Sequence, residues 1–155
     1  VCTPVIRGKA GRLGRANSVM KAAVVAAAVH EQDELRVRRN LGHPVGPAVG
    51  HAAGYVNMLH GEAVSVGMVA ATRISARRAG LSLGEAARIL ATLEARQLPT
   101  TLPNDFPREK IFPALKHDKK FVDGEIRFVV AHAIGQASVS REVTMDDLRE
   151  AIDEL

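Results

Sequence analysis

The chain has 155 residues, 46% apolar and 25% charged, proportions that suit one globular domain able to bury roughly 70% of its unfolded surface. The single Cys2 excludes an intramolecular disulfide framework, and the longest apolar run, residues 22–29, is far short of the ~20 residues needed to cross a bilayer. A formal charge of +4 comes from 21 Lys and Arg scattered among 17 Asp and Glu, with no Trp, one Tyr and four Phe to stack on bases, so no nucleic-acid partner and no membrane role are expected, and a reducing cytoplasm is.

With 3% aromatic residues, the core must be built from Ala, Val, Leu, Ile and Met, and small side chains favour close-packed helices. Residues 1–15 carry no apolar period and read as a flexible basic lead-in. Gly8, Gly11 and Gly14 follow no strand and make no phosphate loop. Ser18 is a plausible cap for a helix reaching about Arg39. A second helix is expected from His43 or Pro44 towards Ala53, with Pro44 in its first turn and Pro47 awkwardly placed; Gly54 and Tyr55 break it. A third, strongly apolar helix covers about His60 to Ala79 and stops at Gly80. Ser82 and Glu85 form a capping box opening a fourth helix to Gln97. Leu98 to Pro107 is a loop, and another helix covers about Arg108 to His117. The period then changes. Glu125 to Val130 alternates as a strand, Ala137 to Val143 is its partner, and Gly135 lies in the turn. Thr144 to Asp147 caps a last helix. The expected architecture is mainly α, a helical bundle with a small antiparallel β-hairpin, in one domain over residues 16–155.

The most specific chemical signal is a pair of histidines, each beside a glycine: His43 in Asn40-Leu41-Gly42-His43 and His60 in Leu59-His60-Gly61-Glu62. Neutral imidazole suits Zn²⁺, Co²⁺ or Fe²⁺, and catalytic metal sites usually join three protein ligands to an open position. Taken singly, each histidine reads more readily as a satisfied core residue; two of them, each beside a glycine that allows close backbone approach, bring the ligand reading level with it. Glu62 has two readings, an outer partner orienting an imidazole or a first-turn acid favouring the helix dipole.

Arg36, the Asn40-Leu41-Gly42-His43 segment, Leu59-His60-Gly61-Glu62-Ala63-Val64 with Gly67-Met68, Lys116-His117-Asp118-Lys119-Lys120 and Asp123-Gly124-Glu125-Ile126-Arg127-Phe128 together resemble the C-terminal domain of 3-dehydroquinate synthase. The order and spacing hold over about residues 18–154. The resemblance implies that domain's fold and an activity: conversion of 3-deoxy-D-arabino-heptulosonate 7-phosphate to 3-dehydroquinate and phosphate, in the shikimate route. NAD transiently oxidises a ring hydroxyl beside a divalent metal, Zn or Co. Phosphate elimination, re-reduction, ring opening and an internal aldol step follow. By the same resemblance His43 and His60 are two of three metal ligands, and Lys21, Arg36, Asn40 and either Lys119 or Lys120 contact the anionic sugar phosphate. A homodimeric parent enzyme is implied. Most of the NAD site and the third ligand, a Glu, belong to an N-terminal half with no counterpart in these 155 residues. The chain alone is therefore expected to bind metal weakly and to show no turnover.

The chain departs from the family at several positions. Pro44 and Pro47 stand where the family's Gly-His-Thr-x-Gly-His has Thr and a second His, the latter normally near the substrate phosphate. A proline there resembles the Gly-His-Thr-Trp-Ser-Pro of sedoheptulose 7-phosphate cyclases. The Lys21-to-Asn40 spacing is one residue longer than usual, and Ala27 and Ala28 replace an acidic pair. Alcohol and glycerol dehydrogenases also carry spaced histidines in C-terminal helical domains, but Asp118-Lys119-Lys120 and the strand after it argue against them. The alternatives kept are a sedoheptulose 7-phosphate cyclase-like enzyme and a non-catalytic truncated helical fragment.

Overall fold

The computed structural model describes residues 40–54, 58–116 and 126–155. The lead-in at 1–15, the helix expected from Ser18 to Arg39, and Lys21, Arg36, Lys119 and Lys120 lie outside these residues. In chain order the elements are α1 (Val45–Ala52), α2 (His60–Arg78), α3 (Leu83–Ala95), a single 3-10 turn (Arg108–Lys110), α4 (Ile111–Lys116), β1 (Phe128–Ala133), β2 (Gln136–Ser140) and α5 (Met145–Asp153). Among the described residues no helix is long and apolar enough to cross a membrane.

The second helix is the centre of the fold. Every residue from Ala63 to Thr72 is buried, so the middle of α2 has no solvent face, as expected of a helix surrounded by other elements. Around it one aliphatic cluster gathers Val45 and Val49 of α1, Leu93 of α3, Ile111 and Leu115 of α4, and Leu148 and Ile152 of α5, together with the fully buried Phe128. Ser65 and Thr72 enter this core because their hydroxyls donate to the Pro99 carbonyl (2.8 Å) and the Met68 carbonyl (2.8 Å).

Local chemistry sets the helix ends. Pro44 is the N-cap of α1 at φ −65°, an angle its ring imposes. Pro47 turns out not to be awkward: it is the third residue of α1, where the N–H it lacks would have had no partner inside the helix. Gly80, at φ +75°, ends α2 in the left-handed turn that glycine favours. Ser82 Oγ accepts the Glu85 N–H (3.2 Å) at the start of α3. At the start of α5, Thr144 Oγ1 accepts the Asp147 N–H (3.2 Å) while Asp147 Oδ2 accepts the Thr144 N–H (2.9 Å). These caps are the ones expected from the sequence.

The hairpin differs from its expected limits. Within the described residues β1 starts at Phe128, two residues before the end of the expected strand, and runs on to Ala133. Its partner covers Gln136–Ser140, ending before Val143. Alternation is not what β1 expresses, since Phe128, Val129, Val130 and Ala131 are all buried. The reason is α2: Ser75 Oγ accepts the Ala131 N–H (2.9 Å), so the helix closes on the strand's free edge.

The last helix braces the end of α2. Arg78 Nη2 meets Asp147 Oδ1 at 2.8 Å, Arg77 reaches Glu150 at 3.3 Å and also pairs with Glu154, and Arg73 lies 3.7 Å from Glu154. Burial pulls the Asp147 carboxyl upward. The Thr144 N–H, the Arg78 guanidinium and the Thr144 hydroxyl outweigh it and hold the pKa below the ordinary aspartate value.

Candidate metal and substrate site

The turn before α1 carries Asn40 and His43. His43 N–H donates to the Asn40 carbonyl and Gly46 N–H to the Gly42 carbonyl, both at 2.9 Å. Gly42 sits at φ +73°, a conformation costly for any residue with a Cβ. This turn lies directly on α2. A methyl group at Gly42 would fall 2.5 Å from the Gly67 carbonyl carbon; one at Gly46 would fall 3.0 Å from the Val64 Cα. Advancing along α1 therefore means retreating along α2, and the two helices run antiparallel. His60 opens α2 seven residues from the Gly67 crossing, roughly 10 Å of helix rise.

The fold thus places Asn40, His43 and His60 on one packed pair of elements. Both histidines are exposed and Asn40 is half-buried. The neighbouring Leu59 is one of the few exposed large apolar side chains, 46% accessible. Glu62 realises its helix-terminal reading, because its Oε2 accepts the Leu59 N–H at 2.9 Å. Among the described residues no group of three or more His, Cys, Asp or Glu could hold a metal ion, so His43 and His60 are at most part of a ligand set. Lys21, Arg36, Lys119 and Lys120 lie outside the described residues. A cavity of about 520 Å³ opens at the C-terminal end of α1, lined by Ala52, Gly54, Met58, Asp105, Phe106 and Lys110 among others; neither histidine lines it.

The hairpin is held to α3 by one carboxylate. Glu85 Oε1 accepts the Ile134 N–H (2.9 Å) and Oε2 accepts the Ser82 hydroxyl (2.9 Å). The Ile134 N–H first, and the Ser82 hydroxyl after it, lower the Glu85 pKa. At the cap anticipated at Ser82, Glu85 thus binds the Ser82 hydroxyl and also has a second task, fixing the Ile134-Gly135 turn.

Sequence reasoning passed over the structural part played by Gly46 and Gly67. A signal was available: an interior helical glycine costs about 1 kcal/mol relative to alanine, so Gly67 within a buried run needs a packing reason.

Residues 12–121 match the family model described as 3-dehydroquinate synthase C-terminal. The chain is 38% identical over 134 residues to a 3-dehydroquinate synthase of Pseudoalteromonas atlantica, an alignment covering 86% of this chain and 38% of that protein. Its fold is similar to that of a 2-deoxy-scyllo-inosose synthase complexed with carbaglucose-6-phosphate, NAD⁺ and Co²⁺, with a TM-score of 0.73 at 17% identity, over 92% of this chain and 52% of that one. It is similar also to a 2-epi-5-epi-valiolone synthase of Streptomyces hygroscopicus subsp. jinggangensis with NAD⁺ and Zn²⁺ bound, with a TM-score of 0.69 at 23% identity, over 92% and 50% of the two chains. The chain thus spans between 38% and 52% of the length of these relatives. The solved structures bear on fold alone, and the mainly α bundle with a hairpin is the fold they share with it.

Proposed function

The chain belongs to the 3-dehydroquinate synthase C-terminal family, and from that premise we propose that it is the metal- and substrate-binding part of a 3-dehydroquinate synthase. The reaction is conversion of 3-deoxy-D-arabino-heptulosonate 7-phosphate to 3-dehydroquinate and phosphate, with NAD and Zn²⁺ or Co²⁺ as cofactors, in a homodimeric cytoplasmic enzyme. The observation that carries the reading is the seating of the His43 turn on α2, the helix that His60 begins.

Two accessible imidazoles on one rigid pair are a donor set that Zn²⁺ and Co²⁺ accept, with a carboxylate as a suitable third ligand. His43 and His60 would hold the ion, each as neutral imidazole. When bound, the ion stabilises negative charge on a substrate oxygen. Arg36, Lys21 and one of Lys119 and Lys120 bind the substrate's carboxylate and phosphate through charge-assisted hydrogen bonds. Asn40 supplies a neutral donor and acceptor to the same substrate. The described residues carry no strand, Gly-rich turn and helix for a dinucleotide; the NAD site and the third ligand belong to the family's N-terminal half.

A chimaera tests this reading, with residues 16–155 replacing the matching C-terminal part of the Pseudoalteromonas atlantica enzyme. Phosphate release from the heptulosonate phosphate, dependent on NAD and on His60, is expected. A folded chimaera whose turnover survives His60→Ala would contradict the assignment. Pro47, in place of the family's second histidine, supports a second reading as a sedoheptulose 7-phosphate cyclase-like enzyme. Turnover of that substrate alone would establish it.

A further inference from the structure

The α1–α2 crossing is closer than side chains allow. A Cβ at Gly67 would lie 2.5 Å from the Gly42 carbonyl oxygen, 2.6 Å from the Gly46 nitrogen and 2.9 Å from the Gly46 Cα. A Cβ at Gly42 would lie 2.5 Å from both the Gly67 carbonyl carbon and the Met68 nitrogen. All five of these neighbours are backbone atoms, so no rotamer change relieves the overlap. Each glycine occupies the space that the other's methyl would need.

We propose that Gly67 and Gly42 are positioning residues for the metal site, setting the separation of His43 from His60 through this backbone contact. The inference rests on the assignment of those two histidines as ligands. Bringing a Gly67 methyl from 2.5 Å to even 3.0 Å moves one backbone by 0.5 Å, whereas metal–ligand distances tolerate only about ±0.2 Å. The backbone that yields is the turn. The middle of α2 is buried from Ala63 to Thr72, while the turn before α1 buries Leu41, Gly42 and Pro44 but leaves Asn40 half-buried and His43 exposed. Gly42 and His43 are adjacent in the chain, and Pro44, with φ fixed near −65°, restrains the residue that follows them, so a displacement at Gly42 reaches His43.

Co²⁺ titration of the intact chain, followed by calorimetry and by the visible spectrum of the bound ion, tests the proposal. Wild type, His43→Ala, His60→Ala, Gly67→Ala, Gly46→Ala and Gly84→Ala are compared, with folding of each checked by circular dichroism. Nothing lies within 4 Å of a Cβ at Gly84, so that variant should bind as wild type does. Folded Gly67→Ala should bind Co²⁺ about 10- to 100-fold more weakly, the range for lost ligand support, with an altered spectrum. A loss of stability alone would lower its melting temperature and leave the affinity and spectrum of the folded protein unchanged. Wild-type affinity and spectrum in folded Gly67→Ala, while the histidine variants lose the ion, would overturn the glycine role and leave the ligand assignment standing. Binding insensitive to both histidine variants would overturn the assignment and this inference with it. Should Gly67→Ala not fold, Gly46→Ala carries the test: its Cβ meets the Val64 Cα at 3.0 Å. A smaller weakening is expected there, and none would overturn the proposal.

Discussion

Asp146 and Asp147 are neighbours in the first turn of α5, yet their removal should have very different consequences. Asp147 is 7% exposed, while Asp146 is 89% exposed and, among the described residues, pairs with Arg149, three residues on. Asp147→Ala removes the acceptor for the Thr144 N–H and hydroxyl, both at 2.9 Å, and for Arg78 Nε at 2.9 Å. Hydrogen bonds to a charged group contribute about 1.5–3 kcal/mol, and a lost cap costs about 0.5–2 kcal/mol. Arg78 is 47% exposed and regains water, which discounts its share. The sum is about 2–3 kcal/mol, a fall in melting temperature of roughly 5–10 °C for a domain of this size. Asp146→Ala should stay within about 0.5 kcal/mol. Urea unfolding at pH 7 measures both, and equal losses at the two positions would show that burial and capping do not set the Asp147 contribution. The pH dependence follows from the sign of the shift. The Asp147 pKa is lower in the folded than in the unfolded chain, so its contribution is complete above the ordinary aspartate range and is lost as pH falls below it. The gap between wild type and Asp147→Asn should therefore close on acidification.

Ser75→Ala leaves the buried Ala131 N–H without its acceptor and should cost about 1–3 kcal/mol, with faster hydrogen exchange at that amide as the direct readout. Gly84→Ala, on the open surface of α3, should stabilise the chain by about 0.4–1 kcal/mol through the unfolded state, read from the urea midpoint. Gln97 holds φ +56° with no glycine's freedom, so Gln97→Gly should raise the melting temperature, whereas Gln97→Val should lower it.

Much of the fold was legible because its signals are local. Ser82 with Glu85 and Thr144 with Asp147 are capping pairs three residues apart, and Gly80 and Gly135 mark chain reversals wherever they fall. The limits of β1 were not legible, because four successive buried residues reflect α2 closing on the strand edge through Ser75, a contact across 56 residues. The second bond of Glu85, to Ile134, is equally remote in sequence. At the candidate site, His43 and His60 stood out by their glycine neighbours, but the reason for those glycines did not. Gly42 meets Gly67 only after two helices cross, and residue type alone does not say which backbone a glycine admits. Glu62 had two readings until its carboxylate was seen on the Leu59 N–H.

Zinc titration followed through the imidazole resonances of the chain's six histidines shows whether His43 and His60 share one ion. The two should shift together, saturating at one ion per chain, with His51 and His132 unmoved. A response of His51 or His132 to zinc, with His43 and His60 keeping their metal-free positions, would overturn the ligand assignment.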